Sequence, residues 1–129
     1  MTSIGCLSRP VAGDAMGIAF VDVEINGVRF RALVDTGFNG DVLVSKRVAE
    51  QLRLPVIGES ERRTVDNKVI RTRVSYGKLR LLDSEGYVTI EIVDDMPLDV
   101  LIGARALEAL GFIVDPTTGT LRKVGLLAV

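Results

Sequence analysis

The nine residues Ala32-Leu33-Val34-Asp35-Thr36-Gly37-Phe38-Asn39-Gly40 run an apolar segment straight into a carboxylate, a hydroxyl and two glycines. Asp35 therefore sits where a buried strand ends. An isolated ionised carboxylate there costs several kcal/mol unless it is paired or hydrogen-bonded. The Thr36 hydroxyl can donate a hydrogen bond, and Gly37 lets another backbone approach closely. Asp-Thr-Gly alone is also what an ordinary turn after a strand uses, so its surroundings decide how it is read.

Upstream, Val21, Val23 and Ile25 alternate with Asp22 and Glu24, the period of a half-buried strand. Asn26-Gly27 follows, two residues that tolerate positive φ and mark a tight hairpin. On the return strand Val28, Phe30 and Ala32 alternate with Arg29 and Arg31. Downstream of Asn39-Gly40-Asp41 the spacing turns helical, with Val44, Val48 and Leu52 four apart. Ser45 is the expected N-cap, and Pro55 ends the helix.

Residues 57–93 read as strands again. Ile70, Thr72, Val74 and Tyr76 alternate with Arg71, Arg73 and Ser75, and Asp66-Asn67 is the expected turn of a preceding hairpin. Gly77 and Ser84-Glu85-Gly86 are read as further turns, Tyr87 to Val93 as a strand, and Met96-Pro97 as its end. Val100-Leu101-Ile102-Gly103 is a short buried strand. Ala104 to Leu110 is a short helix closed by Gly111. Phe112–Val114 and Thr120–Val124 form a last hairpin around residues 116–119. Residues 1–16 show no period and are expected to be a flexible arm, leaving 17–129 as one domain. The apolar tail Gly125–Val129 reads as a terminal strand. Leu33–Gly37 and Leu101–Gly103, each an apolar strand turning at glycine, suggest a weak internal repeat, with chance similarity as the alternative.

Composition narrows the chemistry. The chain has 129 residues, enough for one core, with 47% hydrophobic and 26% charged residues. It has no His, which excludes Ser-His-Asp and Cys-His catalysis and imidazole-ligated zinc. General acid–base work must come from Asp, Glu, Lys or Tyr. The single Cys, Cys6, cannot form an internal disulfide, which suits a reducing cytoplasm. No secretory pattern and no run of about 18 apolar residues is present, so neither export nor a membrane span is expected. A net charge of -1 gives no global pull toward nucleic acid. Charge is nevertheless segregated. Residues 62–80 hold Arg62, Arg63, Lys68, Arg71, Arg73, Lys78 and Arg80 against Asp66 alone, and residues 81–99 hold only acids. Two antiparallel strands with complementary outer faces explain this better than a nucleic-acid surface. Asp94, Asp95 and Asp99 read as solvated loop acids rather than a cation site, and Asp41 and Arg105 are candidates to pair and brace the two glycine turns.

Taken together, Leu33-Val34-Asp35-Thr36-Gly37-Phe38-Asn39-Gly40 after a hairpin, and Leu98-Asp99-Val100-Leu101-Ile102-Gly103 before a short helix, resemble the retroviral-type (retropepsin-like) aspartic proteases. They look closest to the small prokaryotic single-domain branch, and the resemblance covers about residues 18–121. It implies an all-β fold with two short helices, an acid-protease barrel left partly open. It implies a homodimeric peptide hydrolase that needs no metal or cofactor, with Asp35 of each subunit catalytic. Thr36, Gly37, Leu101, Ile102 and Gly103 would support the catalytic loop. Phe38 and Asn39 on that loop, and Asp66 and Asn67 on a flap hairpin, would meet the peptide or protein substrate. The competing expectation is a dimer of the same fold that binds peptides or scaffolds a partner without cleaving.

Overall fold

The computed structural model describes residues 18–64, 66–115, 117–118 and 120–124, so the expected N-terminal arm and apolar tail lie outside the described residues. The first two strands, β1 (Ile18–Ile25) and β2 (Val28–Asp35), form the antiparallel hairpin that Asn26-Gly27 predicts. Both turn residues have positive φ, 51° and 84°. A four-residue strand β3 (Val42–Ser45) follows, then helix α1 (Lys46–Leu52). Helical spacing thus begins later than the sequence suggests. Val44 belongs to β3, where all four residues are buried, and Ser45 ends the strand and caps the helix by accepting from Val48 N at 3.2 Å. Arg53, in the left-handed region, closes α1 before Pro55.

The long hairpins come next: β4 (Gly58–Arg63), β5 (Val69–Leu81) and β6 (Ser84–Val93). Two expected turns are not turns. Gly77 lies inside β5, where a side chain would meet Ile90 Cδ1 at 2.8 Å and the Asn26 amide. Its lack of a Cβ lets the β1–β2 turn dock: Lys78 N donates to Asn26 Oδ1 at 2.9 Å, and Asn26 N to Lys78 O at 2.9 Å. Residues 84–86 are likewise paired in β6, and the reversal falls on Leu82-Asp83, with Leu82 at φ 55°. The last described elements are β7 (Val100–Ile102), α2 (Ala104–Leu110), and a separate hairpin of β8 (Phe112–Asp115) and β9 (Thr120–Lys123).

The seven main strands run in the order β1-β2-β7-β3-β6-β5-β4. Val23, Glu24 and Ile25 pair with Leu81, Arg80 and Leu79, which joins β1 to β5 and closes six of the strands into a barrel. The fold is therefore mostly β with two helices, as expected, but the barrel is closed rather than partly open. β4 extends beyond it on the edge of β5.

Pleating sorts the core. Val23, Ile25, Ala32, Val34, Val42, Val44, Ile90, Ile92, Val100 and Ile102 belong to one cluster. Their alternates Leu33, Leu43, Val93 and Leu101 join Phe38 and Met96 in a second. β7, β3 and the last half of β2 from Ala32 are thus buried on both faces, which is why they read as continuous apolar runs, whereas the start of β2 alternates with exposed Arg29 and Arg31. The segregated charge resolves into pairs on neighbouring strands and turns, including Arg62–Glu91, Arg73–Asp94 and Lys78–Glu85. Asp94 and Asp99 face Arg73 and Arg47. Among the described residues no group of three acidic or Cys side chains is placed to hold a metal ion, and no helix is long and apolar enough to cross a membrane.

Candidate active site

Asp35 is the last residue of β2 and is 2% exposed. Two residues on from Leu33, it shares that residue's side of the strand, facing the second cluster rather than the barrel interior. Gly37 N donates to Asp35 Oδ1 at 2.8 Å, and Phe38 N donates to Asp35 O at 3.1 Å. A tight turn therefore fixes the carboxylate from its own backbone. Thr36 and Gly37 are exposed beside it.

The sequence holds the second support exactly one strand away in space, though far off along the chain. β7 pairs in parallel with β2, matching Ala32, Leu33 and Val34 to Val100, Leu101 and Ile102. It pairs antiparallel with β3 on its other side. Leu101 and Ile102 are fully buried, one in each cluster. Gly103 then meets the Asp35 loop, and three backbone bonds tie the two turns together. Gly103 N donates to Asp41 O at 2.8 Å, Ala104 N to Phe38 O at 2.9 Å, and Arg105 N to Gly40 O at 3.1 Å. A Cβ at Gly103 would overlap Gly40 O, Phe38 O and the Phe38 ring, so only glycine fits.

The expected Asp41–Arg105 brace is thus made by main chain rather than side chains. The Asp41 carboxylate instead accepts from Thr89 N at 2.9 Å, anchoring the loop to β6.

Of the residues expected to meet substrate, Asn39 is exposed on the loop, and Asp66 and Asn67 are exposed at the tip of the β4–β5 hairpin. Asn67 has φ 67°, the conformation expected of a glycine-free tip. The tip is knit by its own groups. Thr64 Oγ1 donates to Asp66, Lys68 N to Thr64 Oγ1 at 3.0 Å, and Arg63 Nη1 to Asn67 Oδ1 at 3.0 Å. The Thr64 bond holds the Asp66 carboxyl below the usual aspartate range. Phe38 is different. Its ring is 1% exposed and packs with Leu33, Leu43, Val93, Met96 and Leu101, so it underpins the loop and does not line a substrate surface in this structure. Phobic burial wins because the loop has a ready-made apolar socket beneath it.

Sequence reasoning missed one group. Glu91, 5% exposed on β6, accepts from Arg62 Nε at 2.8 and 3.0 Å, from Arg62 Nη2 at 2.5 Å and from Thr72 Oγ1 at 2.8 Å. The alternation Val88-Thr89-Ile90-Glu91-Ile92 places Glu91 opposite the barrel core, which reads as solvent. That side is covered, and the signal that could have shown it is Val93, an apolar residue on the same side as Glu91.

A sequence model of the family described as aspartyl protease matches residues 21–106, two-thirds of the chain and both turns of the site. The chain belongs to the aspartyl protease family. Among solved structures, this aspartyl protease chain is similar to the retroviral protease-like domain of Ddi1 from Leishmania major, at 20% identity and a TM-score of 0.58. The match covers 84% of this chain and 86% of that one. At that identity the likeness speaks for the fold, which is retropepsin-like. No curated protein matches the chain.

Proposed function

We propose that the chain is an aspartic endopeptidase that works as a homodimer, with Asp35 of each copy facing the other across a two-fold axis. The observation that carries this reading is the Asp35 turn itself: a buried carboxylate set by Gly37 N–H, in a loop bonded to Gly103, Ala104 and Arg105 and flanked by exposed Thr36 and Gly37. Such rigidity suits chemistry that depends on placing an acid and a base.

Each chain brings one such Asp, whereas the reaction takes two. Carboxylates about 3 Å apart cannot both ionise, so the pair holds one proton between them. The ionised member takes a proton from a water that attacks the peptide carbonyl carbon. The protonated member donates to the carbonyl oxygen. As the tetrahedral species collapses, the C–N bond breaks and the proton passes to the leaving amine. Thr36, exposed next to Asp35, would bond across the axis to the partner's backbone. The β4–β5 hairpin would close over an extended peptide bound by strand-like hydrogen bonds. The lone Cys suits a cytoplasmic setting.

The test compares wild type with Asp35→Asn on a mixed peptide library between pH 4 and 7. Cleavage should disappear in the variant while its circular dichroism stays the same. Equal rates for the two proteins would discard the enzymatic reading. The self-bonded, glycine-free hairpin tip favours one second reading, a dimer that holds peptides without cutting them. Peptide binding by wild type with no cleavage at any pH would select it.

A further inference from the structure

We infer that Arg62 and Glu91 form a positioning pair that couples the β4–β5 hairpin to the Asp35 loop. The sheet register sets up the connection. Glu91 lies opposite Leu43, Leu43 opposite Leu101, and Leu101 opposite Leu33. These four residues form one row across β6, β3, β7 and β2, on the side of the sheet that carries Asp35 two residues beyond Leu33. At about 4.8 Å per strand, the row places Glu91 roughly 14 Å from Leu33. It is the polar end of the layer on which the loop rests.

Arg62 stands on that end. β4 is otherwise an exposed strand, and Arg62 is its one partly buried residue. Its guanidinium makes a forked contact with Glu91, and its central carbon lies over the Phe38 ring, 4.5 Å from the ring centre. A Cβ on Gly40 would meet Arg62 Nη2 at 2.6 Å and the Phe38 ring at the same distance. The guanidinium is therefore packed against the ring and beside the backbone of the loop. Thr72, from β5, is buried and donates its hydroxyl to the same carboxylate at 2.8 Å. Both strands of the hairpin thus converge on Glu91, and the same arginine presses on Phe38, whose N–H and carbonyl bond Asp35 and Ala104. Lifting the base of the hairpin would strip Glu91 of its cation and Phe38 of its cover at once. Opening is then confined to the tip beyond Arg62, and the loop feels the state of the hairpin base.

The inference concerns how the proposed catalytic loop is held, and only its kinetic readout rests on the protease reading. Two variants test it. Arg62→Lys keeps the charge but loses the forked contact and the planar group over the ring. The double variant Arg62→Met/Glu91→Gln removes the ion pair without leaving a charge buried alone, and it keeps the bond to Thr72. In both, the amides of Phe38, Ala104 and Arg105 should exchange with deuterium at least tenfold faster than in wild type. Those of Val23 and Phe30 should not change. In a cleaving wild type, kcat should fall at least tenfold with KM within about twofold. Unchanged loop amides in either variant, acceleration confined to β4 and β5, or an equal acceleration of every amide would each overturn the coupling. A wild type that never cleaves would sink the protease reading alone, because the exchange comparison still decides this one.

Discussion

At Gly103 a methyl group would strike main-chain oxygens of Phe38 and Gly40, neither of which can swing away. Overpacking against backbone lies at the costly end of about 1–3 kcal/mol. Gly103→Ala should therefore lower the urea midpoint by the equivalent of about 3 kcal/mol. At Gly77 the obstacle is the flexible end of Ile90 together with the Asn26 amide, so Gly77→Ala should cost about 1 kcal/mol. Equal losses at the two positions would show that the Gly103 turn can relax. Phe38→Ala should cost about 3–5 kcal/mol, as an aromatic removed from a closed core. The turns at Asp35-Thr36-Gly37 and at Gly103 were legible as apolar strands ending at glycine, although Asp-Thr-Gly alone reads as well as an ordinary turn and only its surroundings single it out. Phe38 was not, because its fate depends on Leu43, Val93 and Leu101, which only the assembled sheet brings beneath it.

Among the elements, β7 lies between β2 and β3, whereas β4, on the outside of its hairpin with β5, has no further partner among the described strands. Hydrogen exchange should be slow at Leu101–Gly103 and faster across residues 62–72, steepest toward the tip. Equal protection would contradict the proposed closing of the hairpin over a peptide. The Ser45 cap of α1 should be worth about 1 kcal/mol when replaced by Ala, read by thermal melting. The β8–β9 hairpin is fastened to the β5–β6 turn by Lys123, whose bond and charge hold the Asp83 carboxyl below its ordinary value. A depressed carboxylate adds stability above its unfolded value of about 3.9, and that stability fades as pH falls through the folded value. Asp83→Asn should thus lower the urea midpoint slightly at pH 7 and leave it unchanged at pH 2. A loss that persists at pH 2 would mean the side chain acts by packing. Strand alternation and turn chemistry made β1, β2, β7, α2 and the last hairpin readable. β3 escaped because four buried residues have no period, and the turns at Gly77 and Ser84–Gly86 were misplaced because glycine there serves close approach and pairing.

For the whole molecule, the proposed dimer predicts that sedimentation equilibrium finds paired chains at high micromolar concentration. Thr36→Ala should weaken the pairing by about 1 kcal/mol for each hydrogen bond lost, two by symmetry. A wild type that stays single throughout would contradict a shared site. The closure of β1 on β5 was not foreseeable from pattern, because it joins residues 23–25 to 79–81, and no local signal specifies a partner that remote. The same remoteness governs β7. The Asp35 loop cannot be assembled until residues 100–105 thread between two strands made some sixty residues earlier, so a chain emerging from the ribosome carries its carboxylate unorganised until those residues follow. Whatever chemistry the loop performs is in this way withheld until residues 100–105 have been made, a safeguard written into the order of the strands.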